Sequence, residues 1–440
     1  MRTALARDLP VLGDWRGFDE LHRLQEERVA WTLERALRTP FHQGRLRTPS
    51  SMTGIDDLSD LPVTGKSDLR DAYPFGLLAV ERERLATYHE SSGTSGAPTA
   101  SYFTDGDWED VADRFARSRV GLGPADTVMV RTPYAMLTTG HQAHRAARAR
   151  GATVVPADNR TLVVTGARVV RLLRDLDVTV AWSLPTECLL WGAAARFAGM
   201  DPGRDFPSLR SLLVAGESLT PARRAAISRL WGGIPVIQDY GSTETGSLAG
   251  ECPQGRLHLW ADRFLPQVYD PATGRSSRTG MGHLVITTLY REAMPLVRYD
   301  LADRVRIREE ACECGWWLPT VEVLGREAEV RGTGVAQVSQ SRLEAAVFSL
   351  PERYGVLFWR ARTTSDHLEV EVEAVPEHAD RAAAELEDAL RAALGVECRV
   401  RGRAQGELVP ESVLSRTDDF VKPRSLFGAD EDWDRAFDYH

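Results

Sequence analysis

The chain has 440 residues, of which 54 are lysine or arginine and 63 are aspartate or glutamate, and its formal net charge is −9. This length predicts two or three domains, each large enough to bury an apolar core. The basic residues are scattered among carboxylates, which argues against nucleic acid as the main partner. The sequence has neither a long apolar run nor a signal-like N-terminus, so we expect a cytoplasmic protein without a membrane segment.

Residues 15–40 place apolar side chains at helical spacing, which predicts an amphipathic helix that ends near Pro40. Between about 108 and 238, helical stretches then alternate with short apolar runs. The predicted helices lie at 108–120, 140–150, 168–176, 189–197 and 221–231. The predicted strands lie at 127–131, 152–156, 178–182, 209–214 and 235–238. This alternation is typical of an α/β domain with a mainly parallel sheet.

The pattern changes at about residue 250, where short strands and turns predict a β-rich subdomain that continues to about 325. Residues 325–334 carry charge and glycine in place of an apolar pattern, which is typical of a linker, and we place a hinge within it at 326–331. Beyond it, the order strand, strand, helix, strand is predicted at 354–362, 367–375, 379–394 and 398–403. We therefore predict an α/β fold with a large N-terminal domain at 1–325 and a small α+β domain at 332–440.

A loop rich in hydroxyl groups and glycine, SSGTSGAPT, occupies residues 91–99. Its glycines let backbone N–H groups turn inward, and its hydroxyls can donate to phosphate oxygens. An ordinary surface loop is the alternative. The candidate phosphate-binding residues are Ser91, Ser92, Gly93, Thr94, Ser95, Gly96 and Thr99.

A second motif, QDYGSTETG at residues 238–246, follows an apolar strand. It is therefore predicted at the carboxyl end of a sheet, where α/β proteins bind ligands. Tyr240 offers a flat face for a base, Thr243 a hydroxyl for a phosphate, and Glu244 a carboxylate for magnesium. A turn followed by a helix N-cap is the alternative.

Two further motifs carry polar groups that suit a nucleotide. Residues 215–217, Ala-Gly-Glu, again follow an apolar strand. Residues 298–303 read RYDLAD, and the carboxylate of Asp303 can accept hydrogen bonds from both hydroxyls of a ribose.

Four residues that can bind zinc through sulfur or nitrogen form two pairs along the sequence, Cys252 with His258 and Cys312 with Cys314. Each pair lies on a short β-type segment, so together they can close a tetrahedral Cys3His zinc site without an open position. Such a closed shell suits a structural metal and argues against a zinc hydrolase. Free buried cysteines are the alternative. Cys188 and Cys398 have no ligand partner in the sequence and are predicted to be packed thiols.

In their order along the chain, the motifs SSGTSGAPT, AGE, DYGSTE, RYDLAD and LGR resemble the adenylate-forming superfamily, and most of all its phenylacetate-CoA ligase branch. The resemblance covers about residues 60–350, is weaker from there to the C-terminus, and extends to the zinc ligands. It implies that the small C-terminal domain is mobile and rotates about the hinge. It implies activation of an aromatic or arylacetic acid by ATP and magnesium to an acyl-adenylate, with release of pyrophosphate. The implied ATP-binding residues, beyond the loop at 91–99, are Gly216, Glu217, Asp239, Tyr240, Gly241, Asp303 and Arg326, with Thr243 and Glu244 at the phosphates and magnesium.

The resemblance also assigns residues to the acid and to catalysis. His144 matches a histidine beside the acyl pocket, with a solvated helix histidine as the alternative. Lys422, in SRTDDFVK, is the candidate lysine for the transferred carboxylate, with an ordinary surface lysine as the alternative. Tyr134, Met136 and Trp182 are predicted near strand ends, where they either line a flat pocket for an aromatic ring or belong to the core.

Two departures from the family pattern concern the phosphate loop and the segment after the hinge. Ala97 stands where the family usually has a lysine, and residues 327–335 read EAEVRGTGV in place of the usual run after the hinge. That run helps to receive the thiol in the family. The acceptor is therefore left open between CoA, a carrier-protein thiol and a nitrogen nucleophile. A homologue that binds nucleotide without turnover and a homodimer are also left open.

Overall fold

The computed structural model describes residues 9–46, 58–91, 98–161, 164–326, 330–333, 336–410 and 425–435. The chain divides into two compact units, each assembled from distant parts of the sequence. Unit 1 contains residues 1–124, 133–152 and 237–325, and unit 2 contains residues 125–132, 153–236 and 326–440. The predicted hinge at 326–331 and the predicted domain boundaries stay predictions.

The helices and strands follow the predicted order. The helices are α1 Phe18–Ala36, α2 Pro40–Gln43, α3 Lys66–Asp71, α4 Asp105–Ala116, α5 Thr139–Ala149, α6 Gly166–Asp175, α7 Pro185–Phe197, α8 Pro221–Leu230, α9 Gln340–Val347 and α10 Ala379–Leu394. The first strands are β1 Thr87–Glu90, β2 Ala100–Phe103, β3 Thr127–Val130, β4 Thr153–Pro156, β5 Val180–Ser183, β6 Ser211–Val214, β7 Val236–Ser242 and β8 Gly246–Glu251. The others are β9 Leu257–Leu259, β10 Phe264–Asp270, β11 Arg275–Ser277, β12 Gly280–Thr288, β13 Tyr299–Arg308, β14 Thr320–Arg326, β15 Val330–Thr333, β16 Ala336–Ser339, β17 Trp359–Thr363, β18 Leu368–Ala374, β19 Cys398–Ala404 and β20 Leu426–Phe427.

The α/β prediction is confirmed by the parallel strands of unit 2, which lie in the order β4-β3-β5-β6. The helices α6, α7 and α8 each follow one of these strands along the chain. Strands β5 and β6 are buried along their whole length, as expected for parallel strands between helices. Cys188 and Trp191 of α7 are fully buried in the apolar core, which confirms the prediction of a packed thiol at 188.

The predicted β-rich segment is confirmed in unit 1, where strands β7 to β14 lie in the order β7-β8-β9-β14-β13-β12-β10-β11. Neighbouring strands such as β7 and β8, β8 and β9, and β10 and β12 pair antiparallel. The apolar side of these strands includes Trp260, Ile286 and Tyr299, each fully buried.

The C-terminal segment forms the small α+β domain that was predicted, with strand order β19-β18-β17-β20 and α10 packed against β18 and β19. The strand predicted at 354–362 begins at Trp359, because residues Glu352–Tyr354 form a 3-10 turn and Gly355 adopts a positive φ of 64°. The apolar core of unit 2 runs without a break from Trp191 to Val347 and Trp359 of this segment. Among the described residues, the helices are too short or too polar to cross a membrane.

Candidate active site

The motif at 238–246 forms a β-hairpin. Strand β7 carries Asp239, Tyr240 and Gly241, and the turn before β8 carries Thr243 and Glu244. The alternative of a helix N-cap is wrong, because a strand follows the turn. A side chain at Gly241 would collide with the carbonyl oxygen of Gly246, so this position requires glycine.

Glu244 is buried and connects this hairpin to the ends of the predicted phosphate loop. Its Oε1 accepts a 2.7 Å hydrogen bond from Thr99 Oγ1. Thr99 Oγ1 lies 2.9 Å from Ser91 Oγ, and Ser91 N donates to Thr99 O at 3.0 Å. The two ends of the loop are therefore closed on each other beside the candidate magnesium ligand. The five predicted residues between them, Ser92 to Gly96, lie outside the described residues.

Tyr240 lies against the carboxylate predicted to hold the ribose. Its hydroxyl donates a 2.6 Å hydrogen bond to Asp303 Oδ2. Asp303 belongs to β13 and is buried, whereas Tyr240 is half-buried. Two residues from separate motifs, one assigned to the base and one to the ribose, are therefore neighbours in unit 1.

Asp239 faces the partner strand of the hairpin. Its Oδ1 accepts a 2.6 Å hydrogen bond from Ser247 Oγ, which in turn accepts one from Trp260 Nε1 at 3.0 Å. Burial raises the pKa of Asp239 to about 7, although the bond from Ser247 and the charge of Arg114 act in the opposite direction. The carboxyl group is therefore an internal contact between β7 and β8.

Arg114 supports the same hairpin and was missed in the sequence. Its guanidinium, almost fully buried, donates to the carbonyl oxygens of Thr245 and Ser247 and pairs with Asp110 at 3.1 Å. In the sequence, Asp110 and Arg114 are four residues apart on a helix, a spacing typical of a solvent-exposed ion pair. Only the tertiary fold shows that the arginine holds the turn that carries Glu244.

The candidate acyl-pocket residues of unit 1 lie on and before α5. His144 Nδ1 is 3.2 Å from the Tyr134 hydroxyl, and burial, together with the charges of His141 and Arg148, lowers the pKa of His144. Met136 is 46% exposed with a positive φ of 60°, a conformation that is strained for a side chain of this kind. Its carbonyl oxygen accepts from Glu90 N at 2.8 Å, next to the start of the phosphate loop.

The other predicted site residues lie in unit 2 or outside the described side chains. Trp182 is fully buried in β5, which agrees with the core alternative. Gly216 has a positive φ of 83°, and its neighbour Glu217 accepts hydrogen bonds from Thr186 and Arg223. Arg326 ends β14, but its side chain is outside the described set, as is Lys422.

The predicted zinc ligands are brought together in unit 1. The ligand atoms of Cys252, His258, Cys312 and Cys314 all lie within 4.8 Å of one another. Cys252 Sγ is 4.0 Å from Cys312 Sγ, and Cys314 Sγ is 3.7 Å from His258 Nε2. Tetrahedral zinc requires about 3.8 Å between two sulfurs and about 3.5 Å between sulfur and nitrogen. His258 Nδ1 bonds to Leu318 O at 2.7 Å, which leaves Nε2 free to bind a metal. The four residues therefore fit zinc.

Comparison with known proteins agrees with these motifs. Residues 34–278 match the family model of the AMP-binding enzymes. A phenylacetate-coenzyme A ligase of Thermus thermophilus is 34% identical over 374 residues, which cover 81% of this chain and 82% of that protein. A phenylacetate-coenzyme A ligase of Pseudomonas putida is 30% identical, over 89% of this chain and 92% of that protein. The chain belongs to the adenylate-forming enzymes. It is an AMP-forming acid ligase of the phenylacetate-CoA ligase branch.

A solved structure shares the fold of this adenylate-forming enzyme. 2-Hydroxyisobutyryl-CoA ligase, in complex with 2-HIB-AMP, superposes with a TM-score of 0.83 over 96% of this chain and 94% of that chain, at 22% sequence identity. This superposition confirms the predicted fold, and the two phenylacetate-coenzyme A ligases confirm the predicted family.

Proposed function

We propose that the enzyme activates an aromatic or arylacetic acid with ATP to the acyl-adenylate, releases pyrophosphate, and transfers the acyl group to the thiol of CoA. The hydrogen bond from Thr99 to Glu244 carries the proposal, because it joins the closed ends of the phosphate loop to a buried carboxylate suited to magnesium. The two relatives named phenylacetate-coenzyme A ligases support the choice of acid class and acceptor.

The acid substrate is a poor electrophile, because its carboxylate repels nucleophiles until one oxygen becomes a good leaving group. Tyr240 binds the base, and Asp303 accepts from the ribose hydroxyls. Glu244 would hold magnesium, which would supply positive charge beside the phosphates. Hydroxyls and N–H groups of the loop at 91–99 bind the phosphates, and Lys422 places the acid carboxylate for attack on the α-phosphate. Catalysis thus rests on positioning and electrostatics.

Cys252, His258, Cys312 and Cys314 bind a structural zinc in this proposal. Three thiolates and one imidazole fill a tetrahedral shell, so the metal has no position for water or substrate. Its role is to hold the segment between β13 and β14 against β9, where His258 lies.

The test is acid-dependent release of pyrophosphate from MgATP across a panel of benzoic, phenylacetic and aliphatic acids. Mass analysis of the product with CoA, a phosphopantetheine-loaded carrier protein or a simple amine then identifies the acceptor. We expect an arylacetic or aryl acid to be activated and a CoA thioester to form, with activity lost in Lys422→Ala. Binding of ATP without acid-dependent pyrophosphate release, and no effect of Lys422→Ala, would instead identify a homologue without turnover.

A further inference from the structure

One arginine of unit 2 is shared between two carboxylates from distant parts of the sequence. Arg223, on α8, pairs with Glu217 at 2.7 Å through Nη2 and with Glu344 at 3.2 Å through Nη1. Glu217 belongs to the Ala-Gly-Glu motif after β6, and Glu344 belongs to α9 of the C-terminal segment. A single guanidinium therefore links a predicted nucleotide-binding loop to a C-terminal helix.

Each of the three charged side chains also makes a hydrogen bond to a residue close to it in the structure. Thr186 donates to Glu217 Oε2 from its backbone N at 3.1 Å and from its hydroxyl at 2.7 Å. Arg223 Nη1 also donates to Ser218 O at 3.0 Å. On α9, Gln340 Nε2 donates to Glu344 Oε1 at 3.0 Å. Gly216 supplies the positive φ at the turn, where a side chain would press on Leu184 at 2.8 Å.

The cluster is buried and carries one more carboxylate than guanidinium. The side chains of Arg223, Glu217 and Glu344 are 5%, 7% and 2% exposed. Burial alone would lower the pKa of Arg223, but the charges of Glu344 and Glu217 outweigh it and raise the pKa. Glu217 Oε1 and Arg223 Nε are buried without a hydrogen-bond partner among the described residues.

Stability alone does not explain such an arrangement. Desolvation of buried ions often costs more free energy than their pairing returns, and a buried acceptor without a hydrogen-bond partner adds to that cost. Apolar side chains such as Ile227, Leu230, Leu343 and Val347 already belong to one core around α8 and α9. The charged cluster is therefore expected to hold the loop that follows β6 in one position.

We propose that Arg223 is a positioning residue that couples nucleotide binding at the Glu217 loop to the docking of α9 through Glu344. The inference rests on the proposed function and deepens it. When α9 is docked, Nη1 of Arg223 pairs with Glu344 and Nη2 pairs with Glu217, so Glu217 is held in one position. When α9 is undocked, Arg223 loses one of the two carboxylates that fix its guanidinium, so Glu217 is held less tightly, by Thr186 and Arg223 alone. Because coupling is reciprocal, nucleotide binding must in turn favour docked α9.

The test compares Glu344→Gln and Arg223→Met with a matched control. Glu371→Gln is suitable, because Glu371 is another buried glutamate of unit 2 shared between two arginines, Arg360 and Arg403. Acid-dependent ATP–pyrophosphate exchange gives KM for ATP and kcat, and hydrogen exchange of residues 340–347 is followed with and without MgATP, in the absence of acid. Melting temperatures of all variants report general destabilisation.

We expect Glu344→Gln to raise KM for ATP about 5- to 20-fold with little change in kcat, within the usual range of coupling between two sites. Arg223→Met should have at least this effect, and the double variant should be no worse than Arg223→Met. MgATP should slow exchange in 340–347 in the wild type and in Glu371→Gln but not in Arg223→Met. If Arg223→Met does not fold, Glu344→Gln carries the test, because it exchanges one carboxylate for an amide of the same shape.

An unchanged KM in Glu344→Gln together with unchanged exchange in 340–347 would overturn the coupling. So would an equal rise of KM in Glu371→Gln, since the effect would then follow from stability alone. If the wild type lacks acid-dependent pyrophosphate exchange but MgATP still protects 340–347 through Arg223, the proposed function fails and the coupling stands.

Discussion

Thr99 and Glu244 are 145 positions apart in the sequence, yet Thr99 Oγ1 donates a 2.7 Å hydrogen bond to Glu244 Oε1. This bond connects the end of a loop rich in hydroxyl groups to a carboxylate in a β-hairpin. Arg114 holds the same hairpin from the other side through the carbonyl oxygens of Thr245 and Ser247. The position of Glu244 is therefore determined by two elements, the loop end and α4.

Replacing Thr99 by valine, a side chain of the same shape, should weaken adenylation. The hydroxyl donates to a buried carboxylate, and a hydrogen bond to a charged group contributes about 1.5–3 kcal/mol. We expect kcat/KM for MgATP in pyrophosphate exchange to fall about 10- to 100-fold. Thr32→Val is the control, because Thr32 is also buried and its hydroxyl donates to Thr288 O at 2.6 Å. An equal fall of kcat/KM in Thr99→Val and Thr32→Val would show that the Thr99 bond has no specific role in adenylation.

Tyr240→Phe tests whether the Tyr240–Asp303 pair serves the nucleoside. The ring remains for the base, but Asp303 loses the hydroxyl that orients it at 2.6 Å. Because ribose contacts are the same before and during the chemical step, KM for ATP should rise about 3- to 10-fold while kcat stays nearly constant. Tyr354→Phe is the matched control, since Tyr354 donates to Glu385 at 2.6 Å in the C-terminal segment. A fall in kcat without a change in KM would contradict the assignment.

The purified enzyme should contain one zinc ion per chain, measured by elemental analysis. Cys312→Ser and His258→Ala should lose it, whereas Cys398→Ala, which changes a buried cysteine outside the cluster, should keep it. Stripping the metal with a chelator should lower the melting temperature by at least about 5 °C, because the folding energy of such a site comes from the metal. Lost activity at an unchanged melting temperature would point to a catalytic metal instead.

Local patterns in the sequence predict the secondary structure well. The helix predicted at 379–394 matches α10 residue for residue, since its apolar spacing is regular and Gly395 ends it with a positive φ of 68°. The strand predicted at 235–238 is too short, because β7 continues to Ser242 through polar and glycine residues that have weak strand preference. The motifs at 215–217 and 238–246 could be recognised as candidates because each follows an apolar strand, and the loop at 91–99 because of its hydroxyl groups and glycines.

Long-range contacts of charged residues are the part that the sequence does not reveal. Arg114, Arg223 and Glu344 have the composition and spacing of ordinary helix-surface residues, yet all three are buried against distant segments. Whether a charged side chain on a helix faces solvent or another helix depends on tertiary packing, and a single sequence carries no signal for it. The metal cluster was predictable, because cysteine and histidine ligands are rare and chemically specific.

Asp239 should make stability depend on pH in a direction opposite to that of an ordinary salt-bridged aspartate. Its pKa is raised from 3.8 to about 7 in the folded chain, so between these values the folded state holds a proton that the unfolded state has released. The contribution of Asp239 is therefore fully present near pH 4, falls as the pH rises, and is lost above about pH 7. At 1.36 kcal/mol per pKa unit, the loss is on the order of 4 kcal/mol. Asp239→Asn, which keeps a neutral side chain, should remove this dependence. In urea unfolding, the free energy of unfolding of Asp239→Asn minus that of the wild type should be larger at pH 8 than at pH 5. The same difference at both pH values would contradict the raised pKa of Asp239.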